Sequence, residues 1–413
     1  MADGPPANSV SVDCCVVGGG PAGMMLGFLL ARAGVSVAVL EKHKDFLRDF
    51  RGDTIHPSTL RVMDELGLLD ALLKLPHQKA YTLTGQVGDF RVRMADFTHL
   101  GPRWGFIALM PQWDFLDFLA GQARRFKGFN LYMQAAVTDL IREGGRVAGV
   151  TAETPDGPLE VRAALTVGCD GRHSTVRDRA GLKVEDLGAP MDVLWFALSR
   201  PPNDPEEVMG RFDAGRIFIM INRGTHWQCG LVIPKGTFAE VRARGLEAFR
   251  ADLVRMAPFL GGRGSEITAW DDVKLLTVSV DRLNDWAAPG LLCIGDAAHT
   301  MSPVGGVGIN LAIQDAVAAA NILAGSLAAG TVGLEDLKAV QRRRAFPARV
   351  TQAGQILVQR RVISRVLGGT QPLRPPLILR LLGRFPLLRR IPASVIGIGV
   401  RPEHVRTPEA AGA

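Results

Sequence analysis

The chain has 413 residues, 47% hydrophobic and 22% charged, a folded globular composition too large for one ordinary core, so about two domains are expected. Five cysteines with no C-x-x-C spacing imply no disulfide framework and fit a reducing cytoplasm, and eight histidines with no paired ligand spacing give no support to a structural zinc or a helical metal site. The net charge of +7 is uneven, because residues 340–413 hold 14 arginines against two glutamates while the remainder is acidic. That tail has few aromatic residues and no base-reading motif, which argues against nucleic acid as a partner.

The uncharged run from Cys14 to Ala31 begins beside Asp13 and is cut by three glycines, so neither a signal peptide nor a membrane span fits it. Instead "SVDCCVVGGG", "PAGMMLGFLLARAG" and "VSVAVLE" spell strand, glycine turn, helix and strand, the βαβ opening of a doubly wound α/β sheet. "HPSTLRVMDELGLLDALL" predicts one helix with Pro57 in its first turn. Strand-like alternation over 80–110 gives way to a helix in "MPQWDFLDFLAGQA". Further strands lead to "ALTVGCDGRHSTVRDRAG", again strand, turn and helix. Residues 189–275 are strand-rich around one helix at 238–256, and "GLLCIGD" then returns the chain to a glycine-rich loop and a helix. Cys14, Cys169 and Cys293 lie in apolar runs before glycine turns and are expected to be buried. The predicted organisation is a discontinuous domain of residues 1–80, 111–188 and 276–340. A strand-rich domain of 81–110 and 189–275 is inserted into it, and an arginine-rich helical segment spans 341–413.

Gly18-x-Gly20-x-x-Gly23, with Ala22 inside it and Glu41 and Lys42 at the end of the next strand, is a dinucleotide fingerprint in its proper context. The glycines permit a tight turn and close approach to a pyrophosphate, the helix N-terminus supplies positive partial charge, and Glu41 suits ribose hydroxyls. An acid there favours an unphosphorylated ribose, as in NAD or FAD. Two further turns choose FAD. Asp170 and Gly171 end a strand, with Ser174 available as a helix cap and Arg177 one turn on. The stretch "GDAAHTMSPVGGVGINLAIQDA" places Gly295 and Asp296 at a strand end and Gly305, Gly306, Val307, Gly308 and Asn310 at a helix start. Donors at a helix N-terminus stabilise the negative charge of a reduced isoalloxazine.

On these three ordered motifs, residues 12 to about 345 resemble the FAD-dependent aromatic hydroxylases, the class A flavoprotein monooxygenases typified by p-hydroxybenzoate hydroxylase. The resemblance implies a Rossmann-type FAD domain with an inserted substrate domain, NADH or NADPH as co-substrate without a second nucleotide domain, and oxygen transfer to an aromatic ring through a flavin C4a-hydroperoxide. It also implies FAD contacts at Arg51, Gln112 and the backbone near Val137, pyridine-nucleotide contacts near Asp170 and Arg177, and Pro303 against the flavin edge where oxygen reacts. His226 or Tyr81 could activate a phenol, although a surface histidine and a packed tyrosine are the preferred readings. Trp195, Phe196, Phe218, Met220 and Trp227 lie in the inserted sheet. Phe218 and Met220 share one face of "RIFIMIN" and the isoleucines the other, without indicating which faces substrate.

A flavin reductase, a halogenase and a non-catalytic flavin protein remain as alternatives, the halogenase weakened by the lack of a W-x-W-x-I-P stretch. In "PPLILRLLGRFPLLRRIP", Arg380 and Arg384 share a helical face opposite leucines. This segment is either a helix packed on the substrate domain, the preferred reading, or an interfacial membrane contact.

Overall fold

The computed structural model describes residues 8–47, 54–205 and 209–410. Strand β1 (Ser9–Val17), helix α1 (Pro21–Arg32) and strand β2 (Val37–Glu41) form the expected βαβ unit, the strands pairing in parallel from Cys14↔Val37 to Val17↔Leu40. Helix α2 (Pro57–Glu65) has Pro57 in its first turn. The apolar spacing through Leu73 predicts a longer helix, but Gly67, at φ 71°, turns the chain before a separate turn of helix at Leu69–Leu72.

A hairpin of β3 (Thr82–Val87) and β4 (Phe90–Asp96) precedes α3 (Gln112–Ala123). Then come β5 (Phe129–Met133), β6 (Ala136–Glu143), β7 (Arg146–Thr154), β8 (Gly157–Gly168) and the short α4 (Thr175–Arg179). The strand-rich stretch supplies β9 (Met191–Ser199), β10 (Met209–Asp213), β11 (Arg216–Asn222) and β12 (His226–Pro234). In place of one helix over 238–256 there are two, α5 (Phe238–Ala243) and α6 (Leu246–Met256), separated at Gly245, where φ is 88°. After β13 (Lys274–Leu276) and β14 (Leu291–Cys293) the chain is helical, in α7 (Gly308–Ala328), α8 (Leu334–Val358), α9 (Leu377–Arg384) and α10 (Arg390–Gly397).

The main sheet has the parallel order β14-β8-β1-β2-β5, and the first half of β8 continues into an antiparallel ribbon with β7 and β6. Its strands are buried, with α1, α3 and α7 packed together on it and Leu140, Val147, Val150 and Ala152 of the ribbon in the same core. Gly27 lets α1 settle on the sheet, since a Cβ there would stand 2.6 Å from Val39 Cγ2. Cys14, Cys169 and Cys293 are all buried, Cys169 just beyond the end of β8.

The second sheet is ordered β13-β9-β12-β11-β10-β3-β4, so residues 82–96 join 191–276 through parallel pairing of β3 and β10. Residues 54–55, 78–80 and 107–109 make a separate three-stranded sheet, which pairs part of the 81–110 segment with chain that precedes it. One face of the second sheet sets Phe196, Phe218, Met220 and Trp227 against α6. The opposite face carries Trp195, Ile217 and Ile219, clustered with Val304 and with Ile363 and Val366 beyond α8. Phe218, Met220 and Trp227 are therefore core residues turned away from the glycine-rich loop.

The arginine-rich segment is not a uniformly solvated face. Arg344 of α8 is 1% exposed and donates from Nε to Asp315 Oδ1 at 2.8 Å, while His299 Nε2 donates to Asp315 Oδ2 at 2.6 Å and Gly295 N donates to the same oxygen at 3.1 Å. Arg344 also meets the buried Glu403 at 3.3 Å, and Arg343 pairs with Glu403 at 2.7 Å. Burial alone would raise the Asp315 carboxyl, but the His299 ring and the Arg344 guanidinium outweigh it and hold the group below its ordinary range. Arg344→Met should leave Asp315 and Glu403 buried and undercompensated, lowering urea-unfolding stability by about 3 kcal/mol.

Candidate functional site

Three turns meet at the carboxyl ends of β1, β8 and β14, where parallel sheets form their ligand crevices. Gly18, at φ 103°, lies so near the second turn that a Cβ would sit 2.5 Å from Cys169 O. Gly23 has an equally specific task, since a Cβ there would fall 1.9 Å from Gly18 O and push the helix off its turn. Gly295 approaches Ala22 and Ala312, which brings the third turn against the first. Gly20 and Gly171, by contrast, would direct a Cβ into open space.

At the end of β2, the buried Glu41 carboxylate accepts from Gly19 N at 2.9 Å and from His43 N at 3.0 Å. Lys42 is exposed beside it. Ala135 N donates to Glu41 O at 2.9 Å, so the start of β6 with Val137 follows directly on the Glu41 end of the strand. Gln112 is the first residue of α3. Arg51 lies outside the described residues.

In the second turn Asp170 accepts from Ser174 Oγ at 2.5 Å and from Val176 N at 3.1 Å, and Ser174 caps α4 by accepting from Arg177 N at 2.9 Å. Burial raises the Asp170 carboxyl, and these hydrogen bonds oppose the shift without cancelling it. Arg177 is buried; it donates to Arg172 O at 2.7 Å and stands 3.8 Å from Asp281, tying the second turn to the segment before the third. Asp296 is half-buried in the third turn.

The third turn is gripped from two sides. Asn310 Oδ1 accepts from His56 N and from Thr59 Oγ1, both at 2.8 Å, and its Nδ2 donates to Thr54 O at 3.1 Å and Gly306 O at 3.3 Å. The Asn310 side chain thus clamps the loop to the start of α2. From α8, Gln355 Nε2 donates to Ser302 O and Val304 O at 2.9 Å, and its Oε1 accepts from Ser302 N at 3.1 Å. Gln352 donates to Thr300 O at 3.0 Å and Gln359 to Ser302 Oγ at 2.7 Å. Pro303 lies in the middle of this grip, and a short π-helix at Gln359–Ile363 adjusts the register where it ends. Sequence reasoning missed both clamps, although glutamines at 352, 355 and 359 repeat at helical spacing.

His226 is exposed at the start of β12 and Tyr81 is half exposed against Phe106, so neither is drawn to the Pro303 loop. A cavity of about 140 Å³ lined by Phe218, Met220, Met256 and Phe259 lies on the far face of the second sheet, and the sheet itself separates it from the three turns. Among the described residues no cluster of His, Cys, Asp and Glu could hold a metal ion.

A family model described as an FAD binding domain matches residues 11–354. The chain belongs to this family of FAD-dependent monooxygenases. It is 32% identical over 393 residues to a 6-methylpretetramide 4-monooxygenase of Streptomyces rimosus, covering 94% of this chain and 93% of that one. It is 30% identical to a rifampicin monooxygenase of Streptomyces venezuelae, over 74% of this chain and 62% of that one. Among solved structures, the anhydrotetracycline hydroxylase OxyS of Streptomyces rimosus superposes with a TM-score of 0.70 at 26% identity, over 94% of this chain and 76% of that one. The residues of this monooxygenase fit FAD: Gly20 leaves open space for a pyrophosphate, Glu41 is held as a carboxylate acceptor of the kind that ribose hydroxyls require, and the first N–H groups of α7 have no intrahelical acceptor.

Because Gly20 faces open space, Gly20→Ala should leave apoprotein stability unchanged and raise the Kd for FAD about tenfold, measured by flavin fluorescence titration. A pH effect follows from His56, whose Nδ1–H donates to Ile396 O at 2.9 Å and whose buried ring is pushed from 6.5 down to about 4, chiefly by burial. The unfolded chain takes up this proton first. Stability from this source should therefore be full at neutral pH and fall by up to about 3 kcal/mol between about pH 6.5 and pH 4, a slope absent in His56→Gln on urea unfolding.

Proposed function

We propose that this monooxygenase uses NADH or NADPH and O2 to hydroxylate a polycyclic aromatic, polyketide-like substrate. The observation that carries the proposal is the Pro303 loop, locked by Asn310 and the α8 glutamines directly beneath the Trp195, Ile217 and Ile219 face of the second sheet. A purely structural flavin site needs no rigid helix N-terminus beside an apolar wall. The named substrates of its relatives, 6-methylpretetramide, anhydrotetracycline and rifampicin, belong to those proteins and support the polycyclic class here.

FAD, when bound, supplies the redox chemistry that passes the reducing equivalents of NAD(P)H to O2 and delivers one oxygen atom to the ring. The chain's own residues bind, orient and exclude water. Gly18, Gly20, Ala22, Gly23, Glu41 and the backbone near Val137 hold the adenosine and pyrophosphate, with Lys42 and Gln112 beside them. Asp170 and Gly171 border the middle of the cofactor, and Arg177 holds their turn in place. Gly295 and Asp296 take the ribityl chain. Pro303, Gly305, Gly306, Val307, Gly308 and the Asn310 backbone face the ring, and the α7 N-terminus stabilises negative charge there. The apolar wall keeps water from the reacting atoms.

A panel of phenolic polyketides should contain compounds that accelerate NAD(P)H oxidation, and turnover under isotopically labelled O2 should place one labelled oxygen atom in the product. Product formed without label, halide-dependent product, or turnover in the absence of O2 would sink the hydroxylase assignment.

A further inference from the structure

Helices α9 and α10 present their side chains in the reverse of the usual order. They lie on β4 and its surroundings through small or few residues: α9 buries only Leu382, and α10 buries Ala393 and Gly397. A Cβ on Gly397 would stand 2.9 Å from Leu100 Cδ1 and 3.1 Å from Phe97 Cδ1, so the glycine is what lets α10 approach. Several large aliphatic and aromatic side chains point outward. Leu377, Ile378, Phe385, Leu387, Ile391 and Val395 are between 51% and 71% exposed. Ile391 and Val395 lie one turn apart on α10 and form a stripe, Leu387 precedes them in the turn Pro386–Arg389, and Leu377 and Ile378 of α9, with Phe385 just beyond it, extend the apolar surface.

Charge selects the occupant. Between Asp336 and Glu403 the sequence contains no acidic residue and 13 arginines, among them Arg380, Arg384 and Arg390, all exposed in or beside the stripe. A second copy docking on the same patch across a two-fold axis would oppose arginine to arginine, which repels. An anionic, laterally fluid surface meets both demands, taking the aliphatic side chains below its headgroups while phosphates neutralise the guanidiniums. Eight-residue helices cannot cross a bilayer, and the one described segment long and apolar enough to do so, Val304–Ala328, is mostly buried within the protein.

We propose that α9 and α10 form a docking surface for anionic phospholipid, on which the monooxygenase sits peripherally. The purpose rests on the proposed function, because a polycyclic aromatic substrate partitions into such a surface; the binding itself does not.

The test is co-sedimentation of the full-length FAD-loaded chain with extruded vesicles of phosphatidylglycerol and phosphatidylcholine, against vesicles of phosphatidylcholine alone. Binding should occur with the anionic vesicles at low salt, vanish with the neutral ones and weaken steeply as salt is raised. The pairs Leu387→Ser with Ile391→Ser and Arg380→Gln with Arg384→Gln should each reduce it about tenfold while retaining the bound-flavin spectrum. Absence of sedimentation at low salt would overturn the proposal, as would equal binding to neutral vesicles. A dimer in sedimentation velocity that the serine pair dissociates would assign the patch to a second copy instead. Since the readout is sedimentation, a failed hydroxylation assay leaves this outcome unaffected.

Discussion

A carboxylate with no access to water, Asp315, holds the third turn of this monooxygenase in place. It binds Gly295 N, where the main sheet ends, His299 within the loop, and Arg344 from a helix that sequence distance puts far away. Desolvating such a group is expensive, and it is tolerated because two partners approach both oxygens and because Arg344 is itself answered by Glu403. The glycine-rich loop has few side chains of its own with which to define a shape. Its geometry is imposed from outside by this ion cluster, by the α8 glutamines and by Asn310.

Much of the fold was legible in the sequence because it follows from short-range constraints. The first βαβ unit is written in apolar strands, a three-glycine turn and Pro21 at the helix start, and Glu41 stands where the strand must end. The same holds for Ser174, whose capping bond could be anticipated from its place between a turn and a helix. Helix continuity was harder to foresee. Apolar spacing runs on across Gly67 and Gly245, yet a glycine with positive φ at each place lets the chain turn, and tertiary packing decides that it does.

The clamps were not legible for a different reason. Gln352, Gln355 and Gln359 are ordinary helix residues until a loop fifty residues upstream offers them carbonyls, and a run rich in arginine reads as solvated unless Asp315 and Glu403 are known to converge on Arg344. Likewise, alternation in "RIFIMIN" separated Phe218 from Ile217 but could not name their neighbours. Only the position of α6 on one side and Val304 on the other shows that the isoleucine face looks toward the cofactor turns. Long-range partners are the part of a site that local pattern leaves open.

The last stretch of chain also comes back to its beginning. Ala410 N donates to Arg32 O at 2.9 Å, Arg32 reaches Thr407 O at 2.8 Å, and Glu403 completes the buried charge cluster behind Gly295. The shape of the flavin loop therefore answers to a segment far downstream of it, and whatever loosens that segment from α1 and α8 also uncovers a buried charge behind the cofactor turns.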